Sequence, residues 1–219
     1  APMTVRSIVT PHIDFILSLA FSDDFEIQDA SLPIISHHFA VAEDQFSSFS
    51  IIPKCLEKLS NKATLATIRG ALNLIKTRVE LHLPQDHIVS IITKFSDEFL
   101  SLQGQNILLL CFDVIIQIFA YKEISCLDMQ LMHLLMTSTI SWVKRFPDNT
   151  TLNRFYKFLE LIPNQIYPIN ELIELSSNIF NNRTKIPQIS GYYFIYTICK
   201  RFNNVNISIK IPYDQTFCK

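Results

Sequence analysis

Residues 107–121 read ILLLCFDVIIQIFAY, the most apolar run in the chain. A helix needs roughly 20 apolar residues to cross the hydrocarbon core of a bilayer. This run stops after 15, at Lys122 and Glu123. Asp113 and Gln117 lie inside it, four apart and so on one helical face. A carboxylate at bilayer depth costs at least about 2.5 kcal/mol. On a water-exposed protein the same residues make sense: a narrow stripe of Asn106, Asp113 and Gln117 faces solvent and the rest is buried. The stretch therefore predicts a central helix covered on most sides. Ile115 and Ile116 are expected inside, between the second and fourth helical pairs.

Composition supports a helical chain. Of 219 residues, 48% are hydrophobic and 18% charged, a balance that builds a core. There are 3 glycines, Gly70, Gly104 and Gly191, against an average usage of about 7%. Hairpin turns and phosphate-cradling loops depend on glycine for positive φ and close backbone approach. The scarcity argues against a β-barrel and against a nucleotide-binding α/β fold. The five cysteines are scattered, with no Cys-x-x-Cys pair. They read as buried free thiols in a reducing compartment, so the expected location is intracellular, cytoplasmic or nuclear.

Apolar periodicity outward from residue 107 resolves into paired helices split by polar turns. The expected pairs are 11–21 with 29–42, 50–59 with 63–81, 85–100 with 105–121, 127–146 with 149–162, and 169–180 with 187–202. Pro84, Pro147, Pro163 and Pro168 fall in the connections, where a missing N–H costs nothing. Asp148 is the expected cap of the helix from 149, and Ser60 or Asn61 of the helix from 63. First helices recur every ~35–42 residues, the spacing of helical-hairpin repeats. The expected fold is all-α, an α-solenoid of about five stacked hairpins over residues 1–203. Residues 204–219 leave the pattern. The segment VNISIKI, residues 205–211, alternates with period two and reads as extended. This tail either packs across the last hairpin or begins a segment of a longer array.

With that spacing the chain resembles the armadillo/HEAT superfamily. The stretch RGALNLIK holds Gly70, Ala71, Leu72, Asn73 and Leu74. It is similar to the Gly-Ala-Leu-x-Asn-Leu run of armadillo repeats, with the asparagine one residue earlier. The resemblance implies that Asn73 lines a concave groove and holds a peptide backbone. Other stacked-hairpin families, including the middle domain of translation-initiation scaffolds, share the spacing.

No His-x-x-x-His, Cys-x-x-Cys, Walker-type loop, Gly-x-Ser-x-Gly or Gly-x-Gly-x-x-Gly occurs. The expectation is a non-enzymatic chain without metal, cofactor or small-molecule substrate. Net charge is only −1 but uneven. Residues 1–50 hold seven acids against Arg6, and residues 183–219 hold six cations against Asp214. Second helices carry polar stripes. Lys62, Arg69, Asn73 and Lys76 form one. The matching helices supply Asn106, Asp113 and Gln117; then Asn153, Lys157 and Glu160; then Tyr192, Tyr196 and Lys200. Stacking would merge these stripes into one amide-rich, partly aromatic surface. Such a surface suits a protein or peptide partner within a larger assembly. The alternative is a module associated with RNA or DNA, which asks for a continuous basic track.

Overall fold

In the structure, a computed structural model, residues 12–41, 51–79, 83–121, 127–162 and 169–181 are described, together with residues 196, 197 and 200. Among the described residues every regular element is a helix. They are α1 (Ile13–Leu19), α2 (Phe25–Val41), α3 (Ile51–Lys58), α4 (Leu65–Val79), α5 (Gln85–Phe95), α6 (Glu98–Ser101), α7 (Gln105–Tyr121), α8 (Met129–Arg145), α9 (Asn149–Leu161) and α10 (Ile169–Asn181). None is long and apolar enough to cross a membrane. The chain falls into two units, Ala1–Leu127 and Asp128–Lys219.

In the first unit, α1 pairs with α2 and α3 with α4, and α5 and the short α6 precede α7. The second helices lie side by side: α4 packs against α2 and, more extensively, against α7. The first helices α3 and α5 also touch. The stretch at 107–121 forms α7 and behaves as its pattern requires. Ile107, Leu108, Cys111, Phe112, Val114, Ile115, Ile118 and Phe119 are buried, an arc of about 160° on a 100° wheel. Asn106 is exposed and Asp113 and Gln117 half-buried on the remaining arc. Ile116 departs from expectation: it is only half-buried, because one residue turns the side chain about 100° away from Ile115.

In the second unit, α8 packs against α9 and against α10. Trp142, Phe155, Phe158 and Leu159 are buried there, and Lys144 of α8 pairs with Glu174 of α10 at 3.2 Å.

Helix starts follow local side-chain bonds more than apolar pattern. The segment 22–28, expected as a loop, contains the start of α2. Asp24 accepts from the Glu26 N–H at 2.8 Å and caps the helix four residues early. α4 starts later than expected because Thr64, not Ser60 or Asn61, accepts from the Thr67 N–H at 3.2 Å. The single helix expected over 85–100 is broken at Ser96, and Asp97 caps the short α6 by accepting from the Phe99 N–H. Asp148 is the cap of α9, accepting from Thr150 N–H at 2.8 Å and Thr151 N–H at 3.2 Å, and from the Thr151 hydroxyl at 3.1 Å. Asp148→Ala should cost about 1 kcal/mol and lower the melting midpoint by ~2–4 °C. Asp148→Asn, which keeps an acceptor, should lose less; equal losses would mean that the side chain does not cap.

The second helix expected at 187–202 and the tail at 204–219 lie outside the described residues, except for residues 196, 197 and 200.

Candidate protein-binding surface

The site is built on α4, the middle second helix of the first unit. Its buried face is Ala66, Ile68, Gly70, Ala71, Leu72, Leu74, Ile75, Arg78 and Val79. That leaves Arg69, Asn73 and Lys76 at steps of four and three, all half-buried on the other side. Both cations turn sideways to the flanking helices. Arg69 Nη2 meets Asp29 Oδ1 of α2 at 2.7 Å. Its Nη1 donates to Gln28 Oε1 at 2.9 Å, and its guanidinium lies 4.7 Å from the Phe25 ring centroid. Lys76 Nζ meets Asp113 Oδ2 of α7 at 3.1 Å. The stripe of α4 is therefore stitched to α2 at one end and to α7 at the other. Each ion pair remains partly wet, so it contributes about 0.2–1 kcal/mol. Its larger effect is to fix where the neighbouring side chains sit.

At the α2 joint the polar centre is Gln28, whose side chain is fully buried. Its Nε2 donates to the Ser22 carbonyl at 2.6 Å and to the Ala66 carbonyl at 2.8 Å. With Oε1 accepting from Arg69, one amide ties the α1–α2 turn, α2 and α4 together. Thr64 adds a 3.4 Å bond to Asp23 across the same joint. Sequence reasoning did not single out Gln28 or Asp29. Both lie in or beside the segment expected as a loop, and their partners are about 40 residues away.

The remaining site residues divide as follows. Lys62 is exposed but sits in the turn before α4, so it does not share the helical stripe. Asp113 of α7 is brought to the α4 stripe by its 3.1 Å pair with Lys76; Gln117 is half-buried one turn further along α7. In the second unit, Asn153, Lys157 and Glu160 are exposed on α9. Tyr196 is 60% exposed, with Lys200 Nζ 5.9 Å from its ring centroid. Tyr192 lies outside the described residues. Arg69 and Lys76 already meet carboxylates of this chain.

Two cysteines among the described residues, Cys55 and Cys111, are free and buried. Burial pushes the Cys55 thiol up to about 12, with the Arg78 charge pulling the other way. Burial raises the Cys111 thiol as well. Both are neutral thiols at physiological pH and serve as core side chains. Among the described residues no three His, Cys, Asp or Glu side chains gather as metal ligands. No known family model, curated protein or solved structure matches this chain.

Proposed function

We propose that the chain is a non-enzymatic scaffold of the α-solenoid kind, similar to armadillo/HEAT arrays, that holds a segment of a partner protein along the polar face of its second helices. One observation supports the reading above the others. The second helix α4 packs against α2 on one side and α7 on the other, so that Asn73 lies between two ties, Arg69 to Asp29 and Lys76 to Asp113, that fix the surface around it. A surface ordered before binding loses little conformational freedom on binding. Half-buried amides can hydrogen-bond an extended backbone. On the first unit the exposed Lys62 would favour a carboxylate-bearing segment; on the second, taken by itself, the exposed Lys157 and Lys200 would do the same and Tyr196 would add contact area at low entropic cost. Nucleic acid fits less well. Two of the cations on this face are neutralised within the chain, which breaks the basic track that phosphates require.

The test leaves the ties intact. A full-length variant combining Lys62→Glu, Asn73→Ala, Lys157→Glu and Tyr196→Ala should melt within about 2 °C of the parent, since replacements at wet positions change little. In cross-linking pull-downs read by mass spectrometry it should lose the partner that the parent captures. Retention of every partner would overturn the reading. Capture of RNA that falls steeply with added salt would replace it with the nucleic-acid one.

A further inference from the structure

The two flanks of α4 are held by joints of different kinds. On one flank lies α7, buried through apolar side chains such as Phe112, Val114, Ile115 and Ile118. On the other lies α2, and the bonds that cross there are polar. Gln28 donates to the Ala66 carbonyl at 2.8 Å, and Arg69 meets Gln28 at 2.9 Å and Asp29 at 2.7 Å. Thr64 reaches Asp23 at 3.4 Å. Among the described side chains of α2 only Gln28, Ser31 and Ile35 are buried, and no residue of α1 is.

The difference decides which joint opens first. Polar groups pulled apart regain hydrogen bonds to water, so a polar joint resists separation weakly. Apolar surface has no such replacement. α2 has a second weakness, because Pro33 lies inside it. A proline there gives no N–H to the Asp29 carbonyl and crowds that carbonyl with its ring. The joint also controls Arg69. Gln28 engages its Nη1, Asp29 its Nη2, and the Phe25 ring lies against its guanidinium. All three belong to α2, so they arrive and leave together.

We infer that the α1–α2 pair is an autoinhibitory lid on α4, opening as one unit while α4, α5 and α7 stay folded. Closed, it answers Arg69 with the chain's own carboxylate and amide. Open, it frees both terminal nitrogens of the guanidinium, one turn from Asn73, for a carboxylate of a partner protein. The partner's carboxylate then takes the place of Asp29, so the tie is exchanged and not lost. The role of the freed guanidinium rests on the polar-face reading above; the opening of the lid does not.

The test is hydrogen exchange on the full chain, read by mass spectrometry of peptides, in urea below the unfolding transition. Peptides of α2 should open at least ~10-fold more often than those of α5 and α7. Their exchange should also rise less steeply with urea, because the opening exposes less surface. Fraying from helix ends does not give this order, since α2 has 17 residues, α7 the same and α5 only 11. Two matched truncations of fully buried isoleucines then separate a lid from a part of one cooperative core. Ile115→Val touches none of the bonds at the α2 joint. It should speed α7 exchange about 2- to 10-fold and leave α2 unchanged. Ile35→Val, on the same face of α2 as Gln28, weakens the closed state itself. It should speed α2 and α7 alike, by about the same factor. Phenylglyoxal, which adds across both terminal nitrogens of an arginine, reads the freed guanidinium. Its modification of Arg69 should quicken in Ile35→Val in proportion to α2 exchange. Exchange of α2 in step with α7 at every urea concentration, or an equal effect of Ile115→Val on both, would overturn the lid. Modification of Arg69 indifferent to Ile35→Val would overturn the autoinhibition and leave the polar-face reading standing.

Discussion

Gly70→Ala should destabilise the protein by about 3 kcal/mol or more, although alanine is the better helix former by about 1 kcal/mol. The two effects have opposite signs, and the geometry decides between them. Gly70 is buried in α4, and a Cβ there would overlap the carbonyl oxygen of Ala20. The obstacle is backbone, which cannot swing aside as a side chain could. Nor can the turn withdraw. Ala20 is fully buried, its N–H donates to the Leu17 carbonyl at 3.2 Å, and the next carbonyl but one, of Ser22, is held by buried Gln28. At ~2–4 °C per kcal/mol, the melting midpoint should fall by roughly 6–12 °C. Gly104→Ala is the internal control, because a Cβ there meets nothing within 4 Å. Gly104 stands at the start of α7, its carbonyl accepting from the Leu108 N–H at 3.2 Å, so alanine there should cost no more than about 1 kcal/mol, the difference between the two residues as a cap. If both variants melt like the parent, the α1–α2 turn is not seated on α4.

The helical class and most helix positions were legible because they depend on periodicity, which one sequence displays. The errors sit where a short polar side chain competes for the backbone. SDDFEIQ looks like a loop by polarity, yet Asp24 starts a helix within it. Ser96 and Asp97 interrupt a stretch whose apolar residues continue on either side. In the same way, Thr64 outcompetes Ser60 and Asn61. Only the observed hydrogen bonds say which of several plausible caps is used.

The stripe on α4 was also legible, since Arg69, Asn73 and Lys76 follow from helical spacing. The direction of their charged ends was not. A long cation on a half-wet face can reach outward to solvent or sideways to a neighbouring helix, and spacing along one helix is the same in both cases. Here the deciding carboxylates, Asp29 and Asp113, are 40 and 37 residues away. Arg69 therefore belongs to the joint between the first two helical pairs. Arg69→Glu would set a like charge against Asp29, so it tests folding as much as binding. Gly70 carries a similar lesson. Its place in RGALNLIK was visible, but the backbone that crosses it was not.

Ile115→Asp should abolish cooperative folding of the α7 region, whereas Ile116→Asp should not. The two residues are neighbours in the run that sets the fold, so the contrast isolates burial from composition and helix propensity. Ile115 has no exposed surface. Truncating a buried isoleucine costs about 2–5 kcal/mol, and a carboxyl without a partner in the apolar interior adds a further penalty of about 1–3 kcal/mol even as a neutral group. The sum, about 3–8 kcal/mol, is comparable to the stability of a domain at the lower end of the usual 5–15 kcal/mol. Ile116 is turned about 100° away and half-buried. There the new carboxylate can reach water, and the cost should stay near 1–2 kcal/mol. Far-ultraviolet circular dichroism on heating should show a lowered but cooperative transition for Ile116→Asp. For Ile115→Asp the transition should be lost or broadened already at ambient temperature. A parent-like melt of Ile115→Asp would mean that α7 is not central. Equal losses in the two variants would mean that the whole circumference of α7 is buried, and the wet stripe of Asn106, Asp113 and Gln117 would then lose its claim to face a partner.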